Sequence, residues 1–206
     1  MAVIDLDTTI QQCAGGLPPA IVRAIVSTES GFNPYAIGVV HGRLVRQPNN
    51  LAEAVATAVM LHQRGYNFSL GLGQVNKYNL KAHGLNYQTV FNPCNNIRAA
   101  SRILMSCYQG ALKRFGNKDQ ALSAAFSCYY SGNFKTGFRP DFKGQLSYVQ
   151  KVTNNLQKGN YYQQRKPTQQ SQPQTQRVKA RMNLATMPVV QKEATSIQTT
   201  ESKLLF

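Results

Sequence analysis

The sequence predicts a mainly α-helical domain over residues 1–160 and a tail over residues 161–206. Three observations carry the helical reading. Apolar residues recur at helical spacing in several segments, each opened by a capping residue or proline and most closed by glycine. No alternating pattern of comparable length marks a strand. From about residue 160 the chain turns Gln- and Pro-rich, and residues 163–174 are nearly devoid of apolar side chains. Such a segment cannot bury enough surface to offset its ordering entropy, so the sequence predicts a disordered, basic tail.

The first helix follows Leu17-Pro18-Pro19, runs through Ile21, Val22, Ile25 and Val26, and ends near Gly31. The second starts after Asn50, with Glu53 at the capping-box position, and stops by Gly65. A short third helix is expected after Gly73, from Val75 to Leu80. The fourth starts at Asn92-Pro93, with Ile97, Ala100, Ser101, Leu104 and Tyr108 as its inner stripe. The fifth starts at Asn117, buries Ala121, Leu122, Ala125, Phe126 and Tyr129, and ends at Gly132. A last helix is expected near residues 146–156. Residues 37–48 form a short hairpin or an irregular loop.

The chain carries 23 basic and 8 acidic side chains in 206 residues. Residues 1–160 hold 16 of the basic and 6 of the acidic ones, so the tail alone does not explain the excess. Such a surface favours polyanions: nucleic acid, anionic lipid or an acidic cell-wall polymer. Trp is absent, leaving 10 Tyr and 9 Phe to supply any sugar-stacking face. No stretch is long and apolar enough to span a membrane. The N-terminus, with Asp5 and Asp7 and no basic region, does not read as a secretory signal.

Cys13, Cys94, Cys107 and Cys128 show no C-x-x-C spacing and lie far in sequence from the three histidines, so no metal site is expected. Buried free thiols and two disulfides both fit. In an oxidising compartment Cys107 and Cys128 are the expected pair. The fourth and fifth helices meet at a turn around Gly116-Asn117, and the two cysteines stand level, each roughly 15 Å from it. Cys13 and Cys94, each preceding a core helix, are then the natural second pair. Level is not the same as facing, and four cysteines allow three connectivities.

Each of the six acids before residue 160 can be weighed. Asp5, Asp7, Glu53 and Asp119 stand where capping or solvation accounts for them, and Asp141 lies in a Gly- and Lys-rich loop. Glu29 differs. It continues the Ile21/Ile25 and Val22/Ile25 stripe, at a helix C-terminus where the dipole disfavours an anion. Both effects raise the pKa of a carboxyl, the condition for a general acid near neutral pH. The pattern alone fits equally a last-turn Glu turned out to solvent.

Four local motifs bear on that choice. Glu29-Ser30-Gly31-Phe32-Asn33-Pro34-Tyr35-Ala36 resembles the E-S-x-x-N-P-x-A motif of soluble lytic transglycosylases. Gly71-Leu72-Gly73-Gln74-Val75 is similar to their G-L-M-Q-I, with Gly73 in place of Met. Asn92-Pro93-Cys94-Asn95-Asn96-Ile97 is similar to N-P-x-x-N-I, and Cys128-Tyr129-Tyr130-Ser131-Gly132 stands where the family has A-Y-N-x-G, with Tyr130 in place of Asn. Wording around Tyr35 and Tyr129 resembles the transglycosylase subunit of VirB-type type IV secretion systems. The likeness covers about residues 17–135 and not the tail.

The resemblance implies a lysozyme-like fold of the goose-lysozyme and lytic transglycosylase kind, and a periplasmic enzyme that cleaves peptidoglycan glycan strands without a cofactor, in company with type IV secretion components. It implies Glu29 as the single catalytic carboxyl, forming a 1,6-anhydro-muramic acid product without water. Ser30 and Gln74 are candidates for hydrogen-bonding substrate or Glu29. Gln74 could instead be tied to the backbone. Tyr129 either orients the carboxylate or a bound sugar, or is a core aromatic. Tyr35 and Phe32 are candidates for the cleft lining. A hydrolytic muramidase of the same fold is one alternative. A basic nucleic-acid-binding protein is another, though no nucleic-acid motif is present.

Overall fold

The computed structural model describes residues 5–164, with side chains to residue 159. Six α-helices and a small sheet make up the described part: α1 (Leu6–Cys13), α2 (Pro19–Ser30), β1 (Ile37–Val39), α3 (Leu51–Gln63), β2 (Phe68–Leu70), β3 (Val75–Asn76), α4 (Pro93–Phe115), α5 (Lys118–Ser131) and α6 (Tyr148–Gln164). The class is mainly α. Helix α6 runs past the boundary expected at residue 160, and the rest of the expected tail lies outside the described residues.

The helix starts follow from side-chain chemistry. Asn50 accepts from Glu53 N–H at 2.9 Å, Asn92 from Asn95 N–H at 3.1 Å, and Asn117 from Gln120 N–H at 2.9 Å. Glu53 returns a bond to Asn49 N–H and pairs with Arg46. Pro19 and Pro93 open α2 and α4, where a missing N–H costs nothing.

Helix α4 runs through the middle of the described part. Ala99 and Ala100 pack toward the sheet and α3, with Phe68, Leu70 and Val90. Leu104 packs with Ile25, Phe126 and Val152 of α2, α5 and α6. Ile97 packs with Ile10, Val22, Val26 and Leu72. Disulfides join Cys13 to Cys94 and Cys107 to Cys128, with Cα atoms 5.3 and 5.7 Å apart. The first ties α1 to the start of α4. The second crosses the α4–α5 hairpin.

Three elements differ from the sequence reading. Helix α1 was not expected: its eight residues carry only Leu6, Ile10 and Cys13 on the packed side. A helix this short is unstable alone, and the Asp5 cap, core burial and Cys13–Cys94 bond hold it. The expected third helix is instead β3 followed by two single 3-10 turns, Lys77–Asn79 and Lys81–His83. Val75 pairs back to Leu70 rather than winding onward. Residues 37–48 form neither a closed hairpin nor a wholly irregular loop, because β1 pairs antiparallel with β2, Ile37 opposite Leu70. On its other side Gln47 reproduces a strand: its amide accepts from Ile37 N–H at 2.8 Å and donates to Ile37 C=O at 3.1 Å.

Candidate active site

Asn96, on α4, fixes the loop between β2 and β3. Its Oδ1 accepts from Gly73 N–H at 2.7 Å, and its Nδ2 donates to Leu70 C=O and Val90 C=O, both at 2.9 Å. The amide is 1% exposed, with both its N–H groups and its oxygen in hydrogen bonds. This grip requires glycine at two positions. Gly71 has φ +75°, and a Cβ there would meet Asn96 Nδ2 at 2.3 Å. A Cβ on Gly73 would stand 2.5 Å from the Ala100 Cβ.

The loop forms one wall of a cleft of about 390 Å³. Gly38, Val39, Asn67, Ser69, Gln74 and Asn76 line that side, and Glu29, Tyr129, Tyr130 and Ser131 line the other. A larger hollow, about 880 Å³ around Phe115, Phe134 and Phe138, contains none of the candidate site residues.

Glu29 sits in the last turn of α2, and its carboxylate oxygen Oε1 accepts a hydrogen bond from the Tyr148 hydroxyl. Burial pushes its pKa from 4.5 up to about 7, and the Tyr148 bond opposes the rise in part. Tyr129 and Tyr148 are held protonated well above the usual tyrosine range, first by burial and then by the nearby Glu29 charge. Asn155 of α6 donates to Thr28 of α2 at 2.9 Å, fixing α6 beside the turn that bears Glu29.

The other candidates divide. Tyr129 is in the cleft, but its hydroxyl donates to Gly73 C=O and not to Glu29. Gln74 lines the cleft with a left-handed backbone, φ 48°, and its amide donates to Ala36 C=O at 3.0 Å and Gly71 C=O at 2.9 Å. Its nitrogen is therefore tied to the backbone, the alternative left open from the sequence.

Three residues fall outside the cleft lining. Ser30 donates back to Val26 C=O at 3.1 Å, closing the helix instead of reaching Glu29. Phe32 turns into the core beside α1 and α2 with the Arg23 guanidinium 5.0 Å from its ring centre. Tyr35 packs near Phe91, ring centres 6.4 Å apart, against the core of the sheet and α3. Asn33 sets the turn at Tyr35: its Oδ1 accepts from Tyr35 N–H at 2.9 Å, swinging the chain from α2 into β1.

Tyr148, the partner of Glu29, was missed. In sequence it reads as one more apolar position of the Tyr148/Val149/Val152/Leu156 stripe. A tyrosine opening such a stripe, where a hydroxyl must find a partner when buried, was the available signal. Among the described residues no group of three or more His, Cys, Asp or Glu could hold a metal ion, and no helix is long and apolar enough to cross a membrane.

The chain matches the transglycosylase SLT domain family over residues 9–140. It is 55% identical over 143 residues to the type IV secretion system protein virB1 of Brucella abortus, covering 69% of this chain and 60% of that protein. It is 31% identical over 137 residues to protein virB1 of Rhizobium radiobacter, covering 65% and 56%. With protein virB1 of Agrobacterium fabrum the identity is 26% over 141 residues, covering 67% and 56%. The chain thus spans 60% or less of the length of these curated relatives. No solved structure matches. The family match takes in Glu29, the Gly71–Gln74 loop, Asn96 and Tyr129 together, and the chain belongs to the transglycosylase SLT domain family.

Proposed function

We propose that this protein is a lytic transglycosylase that cleaves the β-1,4 bond between N-acetylmuramic acid and N-acetylglucosamine in peptidoglycan. The observation that carries the reading is Glu29: a carboxyl in the cleft wall with its pKa near 7. It can hold a proton at neutral pH and also give it up. It is the one carboxylate among the described residues lining that cleft. A pair of carboxylates flanking the bond, as most glycosidases use, is not available there.

Protonated Glu29 donates to the glycosidic oxygen as the bond to C1 of muramic acid breaks. The substrate's own N-acetyl carbonyl oxygen stabilises the developing charge at C1. Glu29, now a carboxylate, takes the proton of the muramic acid C6 hydroxyl. Oxygen 6 then bonds C1, giving the 1,6-anhydro sugar and returning Glu29 to its protonated form. Tyr148 donates to the carboxylate between the two transfers. Asn67, Ser69 and Asn76 face Glu29 with polar groups able to bind sugar hydroxyl and acetamido groups.

The virB1 names of the relatives support a place beside a type IV secretion apparatus, in the periplasm, where local opening of the wall clears a passage. The basic surface suits a polymer bearing carboxylates. Mass spectrometry of purified peptidoglycan digested by the protein tests the reading. Anhydro-muropeptides are expected. Reducing-end products alone would make it a hydrolytic muramidase, and no release of fragments would sink both.

A further inference from the structure

We propose that Tyr130 and Asp141 act as positioning residues that hold the Tyr148 hydroxyl on Glu29. The inference rests on the reading of Glu29 as the acid. Tyr148 lies flat against Tyr130, ring centres 4.7 Å apart and planes 16° from parallel. That contact fixes the swing of the Tyr148 ring, and the direction of its hydroxyl follows. Tyr130 itself is 41% exposed in the last turn of α5, so its own ring needs an anchor.

Asp141 supplies the anchor. The Tyr130 hydroxyl donates to Asp141 Oδ1 at 2.6 Å, a charge-assisted bond. The bond pushes the Tyr130 pKa up to about 12, so the proton stays on the tyrosine across the working pH range. Lys151 Nζ stands 4.0 Å from Asp141 Oδ2, one turn beyond Tyr148 on α6. The segment leading to Asp141 is tied to α5 through Ser127, whose Oγ donates to Asn133 C=O at 2.8 Å and accepts from Gly137 N–H at 2.9 Å. Tyr130, Asp141, Lys151 and Tyr148 therefore close a ring between α5 and α6. An asparagine at position 130, the residue of the resembling family motif, has no ring to lay against Tyr148.

The titratable groups facing Glu29 are Tyr148 from α6 and Tyr129 and Tyr130 from α5, and the opposite wall at Gly38, Ser69 and Gln74 is uncharged. Loss of the Tyr148 bond must therefore raise the Glu29 pKa. Loss of the Asp141 charge by itself acts in the opposite direction, since removing a nearby anion makes a carboxyl more acidic. The two roles of Asp141 thus predict opposite signs.

The experiment is an NMR titration of the Glu29 side-chain carboxyl in the full chain, identified by its loss in Glu29→Gln, with peptidoglycan cleavage followed against pH in parallel. Tyr148→Phe is expected to raise the Glu29 pKa by about one unit. Asp141→Ala and Tyr130→Ala should raise it by part of that, and the alkaline limb of cleavage should follow. In the Tyr148→Phe background neither should raise it, since only the opposite effect of the lost Asp141 charge remains there. An unchanged or lowered pKa in Asp141→Ala overturns the proposal, as do upward shifts that persist without the Tyr148 hydroxyl. If Tyr130→Ala loses its helical circular dichroism, Asp141→Ala and Tyr130→Phe, both at exposed positions, decide the matter. Cleavage by Glu29→Gln would sink the catalytic reading instead, and the titration stands without it.

Discussion

Across the cleft, Glu29 and the sheet look at each other from different environments. Behind Glu29 stand Tyr129, Tyr148 and the core of α2, α5 and α6, with Ile25, Phe126 and Val152 fully packed. Opposite are amides and a hydroxyl: Asn76 donates to Asn67 Oδ1 at 2.9 Å and to Ser69 Oγ at 3.4 Å. The helical wall takes water away from a carboxyl and so tunes its proton affinity. The sheet wall keeps polar groups at the cleft surface and is shaped by the Asn96 grip on its backbone. Acidity and recognition are thereby separable, and substitutions on the two sides should fail differently.

The largest effect is expected at Glu29. Glu29→Gln should abolish cleavage and, above pH 7, stabilise the fold. The folded pKa of about 7 lies above the unfolded 4.5, so the folded state binds the extra proton in that window. Stability from this group is whole below pH 4.5 and declines as pH rises to 7, by up to about 3 kcal/mol. The glutamine has no such slope. Thermal melts of both proteins at pH 5 and pH 8 check this: the mutant's advantage should appear only at the higher pH. Equal advantage at both would mean that burial does not tune Glu29.

On the sheet wall the expected damage is structural. Asn96→Ala strands Gly73 N–H and the carbonyls of Leu70 and Val90, and should cost about 3 kcal/mol together with most cleavage. Its alkaline limb should stay where the wild type has it, because the carboxyl keeps its own wall. Gly73→Ala drives a methyl to 2.5 Å from the Ala100 Cβ and should cost roughly 2 kcal/mol. Urea melts read both costs. A neutral Gly73→Ala would mean that the loop yields more freely than its Asn96 bonds imply.

The two walls were also unequally legible. Helices α2 to α5 announce themselves through caps and stripes because each buries one face along three turns or more, and the spacing about the α4–α5 turn is enough to set Cys107 and Cys128 level. The sheet did not, because strands of three, three and two residues are too short to display a period of two. What defines that wall lies in long-range bonds: Asn96 reaches 26 residues to Leu70, and Gln47 completes β1 from 10 residues away. Glu29 stood out as an acid on an apolar face, whereas its partner Tyr148 is 119 residues away and looks like any core aromatic. Ser30, Phe32 and Tyr35 were drawn toward the site by proximity to Glu29 in sequence, yet Ser30 bonds back to Val26, Phe32 packs against the core of α1 and α2, and the Asn33 turn carries Tyr35 toward Phe91.

The smallest effect belongs to the residue that joins the walls. Tyr129 stands on α5 beside Glu29, but its hydroxyl donates across to Gly73 C=O. Its hydroxyl does not donate to the carboxylate, in contrast to that of Tyr148. Tyr129→Phe removes one bond between the walls and leaves one carbonyl without that partner, a cost of about 1 kcal/mol. Cleavage should fall modestly as the loop loosens, through weaker substrate binding more than through the acid. The alkaline limb should not move, because a neutral phenol that gives Glu29 no hydrogen bond does not favour its charged form. Tyr148→Phe should move that limb upward while leaving the loop in place. Rates for the two variants between pH 5 and pH 9 compare the walls within one experiment. If Tyr129→Phe shifts the limb as Tyr148→Phe does, Tyr129 orients the carboxylate in solution and the division between tuning wall and binding wall does not hold.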